Sequence, residues 1–466
     1  MEKPNQIKLG DHPKGISSLF FTEMWERLSY YGMRALLVLY LVKSLGFSDK
    51  DAGTIYAYYT SFVYLTPVIG GYITDRYLSY KFAIYLGSVL MLLGHLSLAL
   101  PNLNYFYTGL CLLALGNGFF KPNISTIFGR LYLEKPQLRD SGFTIFYMGI
   151  NLGGLFGPII AGSLGEKVDW HLGFLSAGVG MAIGILVFYL GSRSLPPSIW
   201  SKGQSPSRSI SNPTIHTSGN PLDSNQNELK PDNDSISKIF LIGLLSFFSI
   251  FFWMAFEQMG SSLNLFALRN TDRFLFGWEI PASLLQSLNP LMILVFGPVL
   301  SYLWSYLAKT NKNPNPIMKF VISLVLLGFG FLVMVFAAKL AETGVVVSIF
   351  FLVSVYFWNT LSELCLSPVG LSFVSQMAPV RFASLLMGIW FLCTAFGHYA
   401  AGILSGYQRE LGSMVNFYAL FVIVSWCAAL VLYLIYLWKK SSIVRLLDGN
   451  SVLVKPNAPI RASIET

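Results

Sequence analysis

Runs of predominantly apolar residues recur along almost the whole chain, and this feature leaves few folds open. A hydrocarbon layer about 30 Å thick is crossed by about 20 residues in a helix. Inside it every backbone N–H and C=O must be paired within its own segment, which a helix does. Reading apolar runs against polar breaks predicts helices near 17–44, 52–75, 81–100, 104–128, 141–164, 172–193, 237–265, 281–308, 316–338, 344–376, 382–407 and 414–438. With 54% hydrophobic and 12% charged residues, the composition is that of an all-α membrane protein and not of a soluble fold. Helices one, seven, eight and ten exceed the length of a straight span and contain Gly, Pro or ionised residues, so tilt or kinks are expected in them.

A formal net charge of +9 would suggest nucleic acid in a soluble protein, but most of the 32 Lys and Arg residues fall in the breaks between runs. They concentrate in the loops on the side of the two termini. The positive-inside rule therefore puts both termini in the cytoplasm, with the chain in a plasma membrane of the bacterial inner-membrane kind. The segment before helix one has basic residues but no short apolar stretch with a cleavage site, so helix one is expected to act as its own signal. All four cysteines lie in apolar runs, as small buried hydrophobes do. Between helices six and seven the sequence turns rich in Ser, Asn, Pro and Asp, which predicts a flexible cytoplasmic linker over 195–236. The organisation expected is a six-helix bundle over 1–194, the linker, a second six-helix bundle over 237–440, and a cytoplasmic tail over 441–466. A linker joining two six-helix bundles is the layout of the major facilitator fold, in which the site lies between the bundles at mid-membrane. Span count alone leaves other twelve-helix folds open.

Ionisable groups inside a bilayer are costly and therefore point to function. Away from the ends of the apolar runs stand seven: Glu23, Glu26, Arg27 and Arg34 on helix one, Lys121 on helix four, Glu257 on helix seven and Glu363 on helix ten. Glu23, Glu26, Arg27, Tyr30, Tyr31 and Arg34 follow three- and four-residue spacing, so one face of helix one is polar. A dipeptide zwitterion needs a cation for its carboxylate, an acid for its ammonium, partners for its amide and room for varied side chains. Arg34 and Lys121 can hold the carboxylate, Glu363 the ammonium, and Asn151 and Asn289 the amide, while Tyr30, Tyr31, Tyr64, Trp253 and Trp390 supply broad walls. The same groups are compatible with an amino acid, an organic anion or nitrate. Proton coupling needs a carboxylate whose hold on H⁺ changes between two states, and a Glu–Arg contact made and broken as the halves rock is a workable switch. Glu23 and Glu26 beside Arg27 fit that role, as does Glu257 with Arg34.

These residues also carry a family resemblance. Glu23-Met-Trp-Glu26-Arg27-Leu28-Ser-Tyr30-Tyr31-Gly32 resembles the helix-one motif E-x-x-E-R-F-x-Y-Y-G of the proton-dependent oligopeptide transporters, a branch of the major facilitator superfamily. Phe146-Tyr147-Met-Gly-Ile150-Asn151-Leu-Gly153-Gly154-Leu155 is similar to that family's helix-five signature. Lys121-Pro122-Asn123, Gln286-Ser-Leu-Asn289-Pro290 and Glu363-Leu-Cys-Leu-Ser-Pro368 also match. Gly71, Asp75 and Arg76 resemble the superfamily's G-x-x-x-D-R motif, a conformational latch. The resemblance implies proton-coupled import of di- and tripeptides by alternating access. It implies a proton-coupling cluster of Glu23, Glu26 and Arg27, an external gate ion pair of Arg34 and Glu257, and Lys121 paired with Glu363 or with the substrate carboxylate. It places Tyr30, Tyr31, Tyr64, Asn151, Asn289, Trp253 and Trp390 around the peptide. Leu28 replaces the motif's Phe and Gly154 replaces a Ser. Ala57 stands where some relatives carry a helix-two His, which leaves coupling to the carboxylates.

The expected partners are small peptides, H⁺ and membrane lipids, with no nucleic acid, and the chain is expected to act as a monomer. The proton gradient drives it without a cofactor. No H-E-x-x-H, no Ser–His pairing within one apolar run and no metal-ligand cluster suggests an enzyme. His95 and His398 are expected to be satisfied structural histidines. The basic residues near the C-terminus, Lys439, Lys440 and Arg445, are expected to anchor against anionic headgroups.

Overall fold

The computed structural model of the chain describes residues 12–200, 233–310, 312–379, 382–408, 410–441 and Ile443. Among them the chain forms twelve long helical stretches. The N-terminal half holds α1 (Ile16–Lys43), α2 (Asp49–Tyr77), α3 (Tyr80–Leu98), α4 (Leu103–Arg130), α5 (Arg139–Gly157) continued by α6 (Ser163–Lys167), and α7 (Trp170–Gly191). The C-terminal half holds α8 (Asn233–Phe256) continued by α9 (Ser262–Asn270), then α10 (Leu288–Lys309), α11 (Pro316–Glu342), α12 (Ile349–Met377), α13 (Ala383–Gly406) and α14 (Met414–Trp438). Small polar caps start several of them. Ser48, Asn102, Asp169, Asn315 and Ser413 each accept a backbone N–H from the first turn of the helix they precede.

Nine of these stretches are long and apolar enough to cross a membrane. The other three, α1, α2 and α4, run to 28 or 29 residues but are more polar. They line the N-terminal side of the charged interior described below. Facing the other way, α10 turns Val295, Val299 and Tyr302 outward, spaced so as to share one face, as lipid contact requires.

Each half packs on itself: α1 lies against α5 and α7, α3 against α4 and α7, α11 against α12 and α14, and α8 against α13. The halves meet chiefly through α2 against α13 and α5 against α10. At the first seam the backbones touch. A Cβ on Gly402 would lie 2.5 Å from the Cα of Ala57, and only glycine allows that approach.

Of the four helices expected to be irregular, two are interrupted. The seventh stretch passes through a 3₁₀ turn, Glu257–Gly260, between α8 and α9, and the eighth starts with a 3₁₀ turn, Ala282–Ser287. Helices one and ten run as unbroken α-helices, the latter despite Pro368. An unforeseen break falls in helix five, where a π-turn at Pro158–Gly162 follows a proline that has no N–H to donate. Short strands tie the loops. β1 (Thr271–Asp272) pairs in parallel with β4 (Val347–Ser348), and β2 (Phe274–Leu275) forms a hairpin with β3 (Trp278–Glu279).

Most of the linker expected over 195–236, and nearly all of the tail over 441–466 with Arg445, lie outside the described residues. The ends of the linker are folded. Leu195 and Ile199 are buried around the 3₁₀ turn Pro197–Trp200, and α8 is already helical at Asn233. Two apolar residues four apart give the chain a face to bury there, so it leaves the bundle later than its polar composition suggests.

Candidate functional site: a charged interior between the halves

Helix one brings three charges into the core. Glu23, Glu26 and Arg27 are 2%, 0% and 3% exposed. The Arg27 guanidinium donates through both Nε and Nη2 to Glu26, the latter bond 2.6 Å long, and its Nε lies 3.4 Å from Glu23 one turn back. Nη2 also donates to Asn117 Oδ1 of α4 at 3.2 Å, and Asn117 in turn donates to the Val63 carbonyl of α2 at 2.8 Å. Two carboxylates thus share one guanidinium, and Glu23 Oε2 has no hydrogen-bond partner among the described residues. Lys121 lies within electrostatic reach of this cluster but forms no ion pair with it. Its ammonium sits 4.9 Å from the centre of the Tyr64 ring.

Two turns along α1, Arg34 crosses to the other half. Its Nη2 donates to Glu257 Oε1 at 2.5 Å, the Tyr56 hydroxyl donates to the same oxygen at 2.6 Å, and Arg34 Nε donates to the Tyr56 oxygen at 2.9 Å. Glu257 opens the 3₁₀ turn that interrupts helix seven, so the break in the helix is also where the halves are joined. On α12, Glu363 is half-buried and accepts from Asn289 Nδ2 at 2.9 Å. Arg34 and Glu257 are within its electrostatic reach. Between these groups Tyr30 and Tyr31 meet edge to face at 5.2 Å. Arg27 lies 5.0 Å from the Tyr30 ring and Arg34 lies 5.9 Å from the Tyr31 ring. All seven ionisable residues therefore face the interior, cation-rich on α1 and α4 and acid-bearing on the C-terminal side.

Other expectations meet a different geometry. Lys121 and Glu363 are not paired with each other. Asn289 spends its amide donor on Glu363 and on Thr360, and Asn151 donates to the Tyr147 carbonyl of its own helix. Trp390 is 3% exposed and buried inside the C-terminal half, 6.2 Å from Phe320 and against Gly370, so it is a packing residue in this conformation. Gly154 stands where the family motif has a small Ser, and the closest helix approach falls at its neighbour. A Cβ on Gly153 would lie 2.3 Å from the Met24 carbonyl, and one on Gly154 would lie 3.3 Å from the Tyr31 ring and 3.4 Å from Pro290, a looser but still tight approach. At the end of α2, Asp75 accepts from the Tyr80 hydroxyl at 2.7 Å, Tyr80 accepts from Arg130 at 3.2 Å, and Arg76 donates to Tyr72. Gly71 meets only Pro122, at 3.6 Å.

Three residues of the interior were not singled out as functional by the sequence: Tyr56, Asn117 and His398. The first two are neutral polar side chains in apolar helices, and Asn117 stands one turn before Lys121, which is a usable signal. His398 is not the satisfied structural histidine expected. Its Nδ1 is 3.4 Å from Glu257 Oε2, and neither ring nitrogen makes a hydrogen bond among the described residues. His95 is buried away from these charges, with its Cβ against Gly178, but its Nδ1 also lacks a hydrogen-bond partner among the described residues, so it too is not the satisfied histidine expected.

Comparison with known proteins agrees with this architecture. The family model described as the POT family matches residues 81–218 and 198–416. The uncharacterized transporter YclF of Bacillus subtilis is 36% identical over 426 residues, 82% of this chain and 86% of that protein. The peptide transporter YePEPT of Yersinia enterocolitica is 34% identical over 85% of this chain and 88% of that one, and a di-/tripeptide transporter of Lactococcus lactis is 33% identical over 82% and 86%. Among solved structures, a peptide transporter POT in complex with sulfate superposes with a TM-score of 0.80 at 29% identity, covering 95% of this chain and 97% of its own. A POT family transporter in complex with a thioalcohol-conjugated peptide gives 0.77 at 30% identity, over 92% and 97%. The interior charges are thus those of an integral membrane transporter with the major facilitator fold, and the chain belongs to the POT family of peptide transporters.

Proposed function

We propose that the protein imports di- and tripeptides together with protons by alternating access, from a plasma membrane in which both termini face the cytoplasm. The observation that carries this reading is the polarity of the interior. Arg34 and Lys121 offer cations on the N-terminal side, Glu363 offers an acid on the C-terminal side, and Tyr30 and Tyr31 lie beside the α1 charges. A short peptide presents the complementary pair of charges at its two ends, and charge-assisted bonds to both are stronger than neutral ones. Within a low-dielectric interior that matching selects against molecules with one charge, including nitrate. One relative has been solved with a conjugated peptide.

Proton coupling rests on the α1 cluster. Two carboxylates share a single guanidinium, the Lys121 ammonium stands near without forming an ion pair, and Glu23 Oε2 has no hydrogen-bond partner among the described residues. A proton can settle on the less well paired carboxylate, and the Arg27 contacts decide which state holds it.

Uptake of a labelled dipeptide into proteoliposomes should rise with an inward proton gradient and collapse when a protonophore is added. Accumulation that ignores the gradient would overturn symport. Glu26→Gln removes one of the two carboxylates and should abolish uphill accumulation while retaining exchange of peptide for peptide. Unchanged uphill transport by this variant would take coupling away from the cluster.

A further inference from the structure

We propose that His398 and Glu257 form a second proton-binding site, distinct from the α1 cluster, in which the imidazole takes over the carboxylate when Arg34 withdraws. This inference rests on the transport reading above.

The imidazole occupies the seam between the halves. Its ring is stacked between Tyr64 of α2, with centroids 4.2 Å apart and planes 22° apart, and Trp253 of α8, at 5.4 Å and 22°. It is 2% exposed. One turn further along α13 lies Gly402, whose backbone touches Ala57 of α2, so this face of α13 is the contact surface with the other half. A phenyl ring would fill the same slot without burying two polar nitrogens that make no hydrogen bond, which is unfavourable. The nitrogens therefore call for a role that packing does not supply.

Glu257 indicates that role through its two oxygens. Oε1 receives both Arg34 and Tyr56, while Oε2 faces His398 Nδ1 at 3.4 Å. These groups divide cleanly between the halves. Glu257, Trp253 and His398 belong to the C-terminal half, and Arg34, Tyr56 and Tyr64 belong to the N-terminal half. Separating the halves at this seam takes away both partners of Oε1 and uncovers one face of the imidazole. Glu257 is then left with His398 alone.

A carboxylate stripped of its guanidinium needs a cation. An imidazole that takes a proton from the newly admitted water supplies it, and Nδ1–H then closes onto Oε2. When the halves return, Arg34 again neutralises Glu257. The imidazolium would become a surplus cation near Arg34 and near Lys121, whose ammonium rides on the Tyr64 ring, and the proton leaves to water at the opposite end, on the side where the peptide is released. One N–H bond forms on opening and one breaks on closing, so a proton crosses in the same direction as the peptide.

The test uses full-length protein in proteoliposomes. His398→Gln keeps a hydrogen-bonding side chain of similar reach but holds no proton. For wild type, dipeptide uptake should vary steeply with external pH across the range in which histidine titrates, about pH 5 to 8. For His398→Gln the ratio of rates at the two ends of that range should fall by at least about threefold, the dependence that remains being that of the α1 cluster, with peptide exchange retained. Loss of exchange as well would mark His398 as a structural residue, and a pH profile identical to that of wild type would refute the site. Wild-type uptake that ignores the gradient would instead remove the transport reading itself. If His398→Gln does not insert, wild type can be probed with diethyl pyrocarbonate, which attacks only the neutral imidazole. Modification at His398, read by mass spectrometry, should fall as pH falls through that range, and pH-independent modification overturns the proposal.

Discussion

The two ends of the helix bundle are held by different kinds of contact. At the distal end, where α1 finishes and α2 starts, polar contacts run from half to half. Arg34 meets Glu257, Arg269 forks onto Asp49 with two bonds of 2.7 Å, and Lys167 meets Glu279 at 2.6 Å. Glu166 accepts both backbone and side chain of Ser283 across the same seam, and Lys50 lies 3.4 Å from Glu410. At the opposite end, where the described chain begins and α14 finishes, contacts within the N-terminal half join Asp75 to Tyr80, Tyr80 to Arg130, Arg130 to the Ile199 carbonyl, and His12 to Tyr132. The contrast teaches that this conformation carries a set of ionic bonds from half to half at the distal end, whereas contacts at the other end brace the N-terminal half itself. The alternating access proposed above requires that distal seal to break as a unit, and its members differ greatly in burial.

The deepest member should matter most. Glu257→Ala removes the acceptor for Arg34 and Tyr56 and leaves a buried guanidinium without a counter-charge, a change that costs about 3–5 kcal/mol when a buried pair is broken. Spin labels on Ser44 and Thr343, exposed positions on opposite halves at the distal end, should report a longer distance in this variant, with Cys111 and Cys427 replaced beforehand. Dipeptide uptake should fall by at least about tenfold. An unchanged distance distribution would show that helix packing along α2 and α13, and not the ion pair, closes this end.

The peripheral pair should matter less. Asp49 is buried but Arg269 is 28% exposed, so water already screens the cation. Asp49→Asn keeps the shape and one acceptor, and the closed population should fall by only about fivefold, equivalent to about 1 kcal/mol. Measured in the same labelled background, an effect equal to that of Glu257→Ala would mean that the seal has no hierarchy of depth.

That hierarchy also marks how far the sequence could be read. An ionised residue in an apolar run stands out without any alignment, and all seven such residues proved to face the interior. Their partners were another matter. The rotation of one helix about its axis relative to the next decides whether Tyr56 reaches Glu257 or lipid, and periodicity along a single helix carries no information about that angle. For the same reason Trp390 was expected at the site and is found in packing, whereas His398 was expected in packing and is found beside Glu257. Asn289 illustrates a second limit. Its amide could serve peptide or protein equally well, and only the distance to Glu363 shows that it is engaged. The break at Glu257 was legible in part, because an acid beside glycine deep in an apolar run weakens a helix. The π-turn in helix five was not read from Pro158, since a proline inside α12 leaves that helix unbroken.

The outermost contact gives the finest test of the same contrast, because its response to pH has a definite sign. Glu279 sits on the hairpin between α9 and α10, outside the spans, and its carboxylate takes hydrogen bonds from Lys167 of the opposite half and from Arg273 of its own. The Lys167 hydrogen bond, reinforced by the Arg273 charge, holds the Glu279 carboxyl below the usual carboxylate range. A carboxyl lowered in this way adds its stabilisation in full above its ordinary value and loses it only as pH drops through the lowered one. Between neutral pH and about pH 5.5 the Lys167–Glu279 contact should therefore hold constant. Glu279 is 36% exposed, so Glu279→Gln should widen the Ser44–Thr343 distance distribution only slightly and change uptake by less than about twofold. The shape of the pH profile of transport should be the same with and without the substitution. A profile displaced in Glu279→Gln would place a pH-sensing group at the rim of the seal, and the proposed division between a buried, proton-responsive core and a passive edge would have to be abandoned.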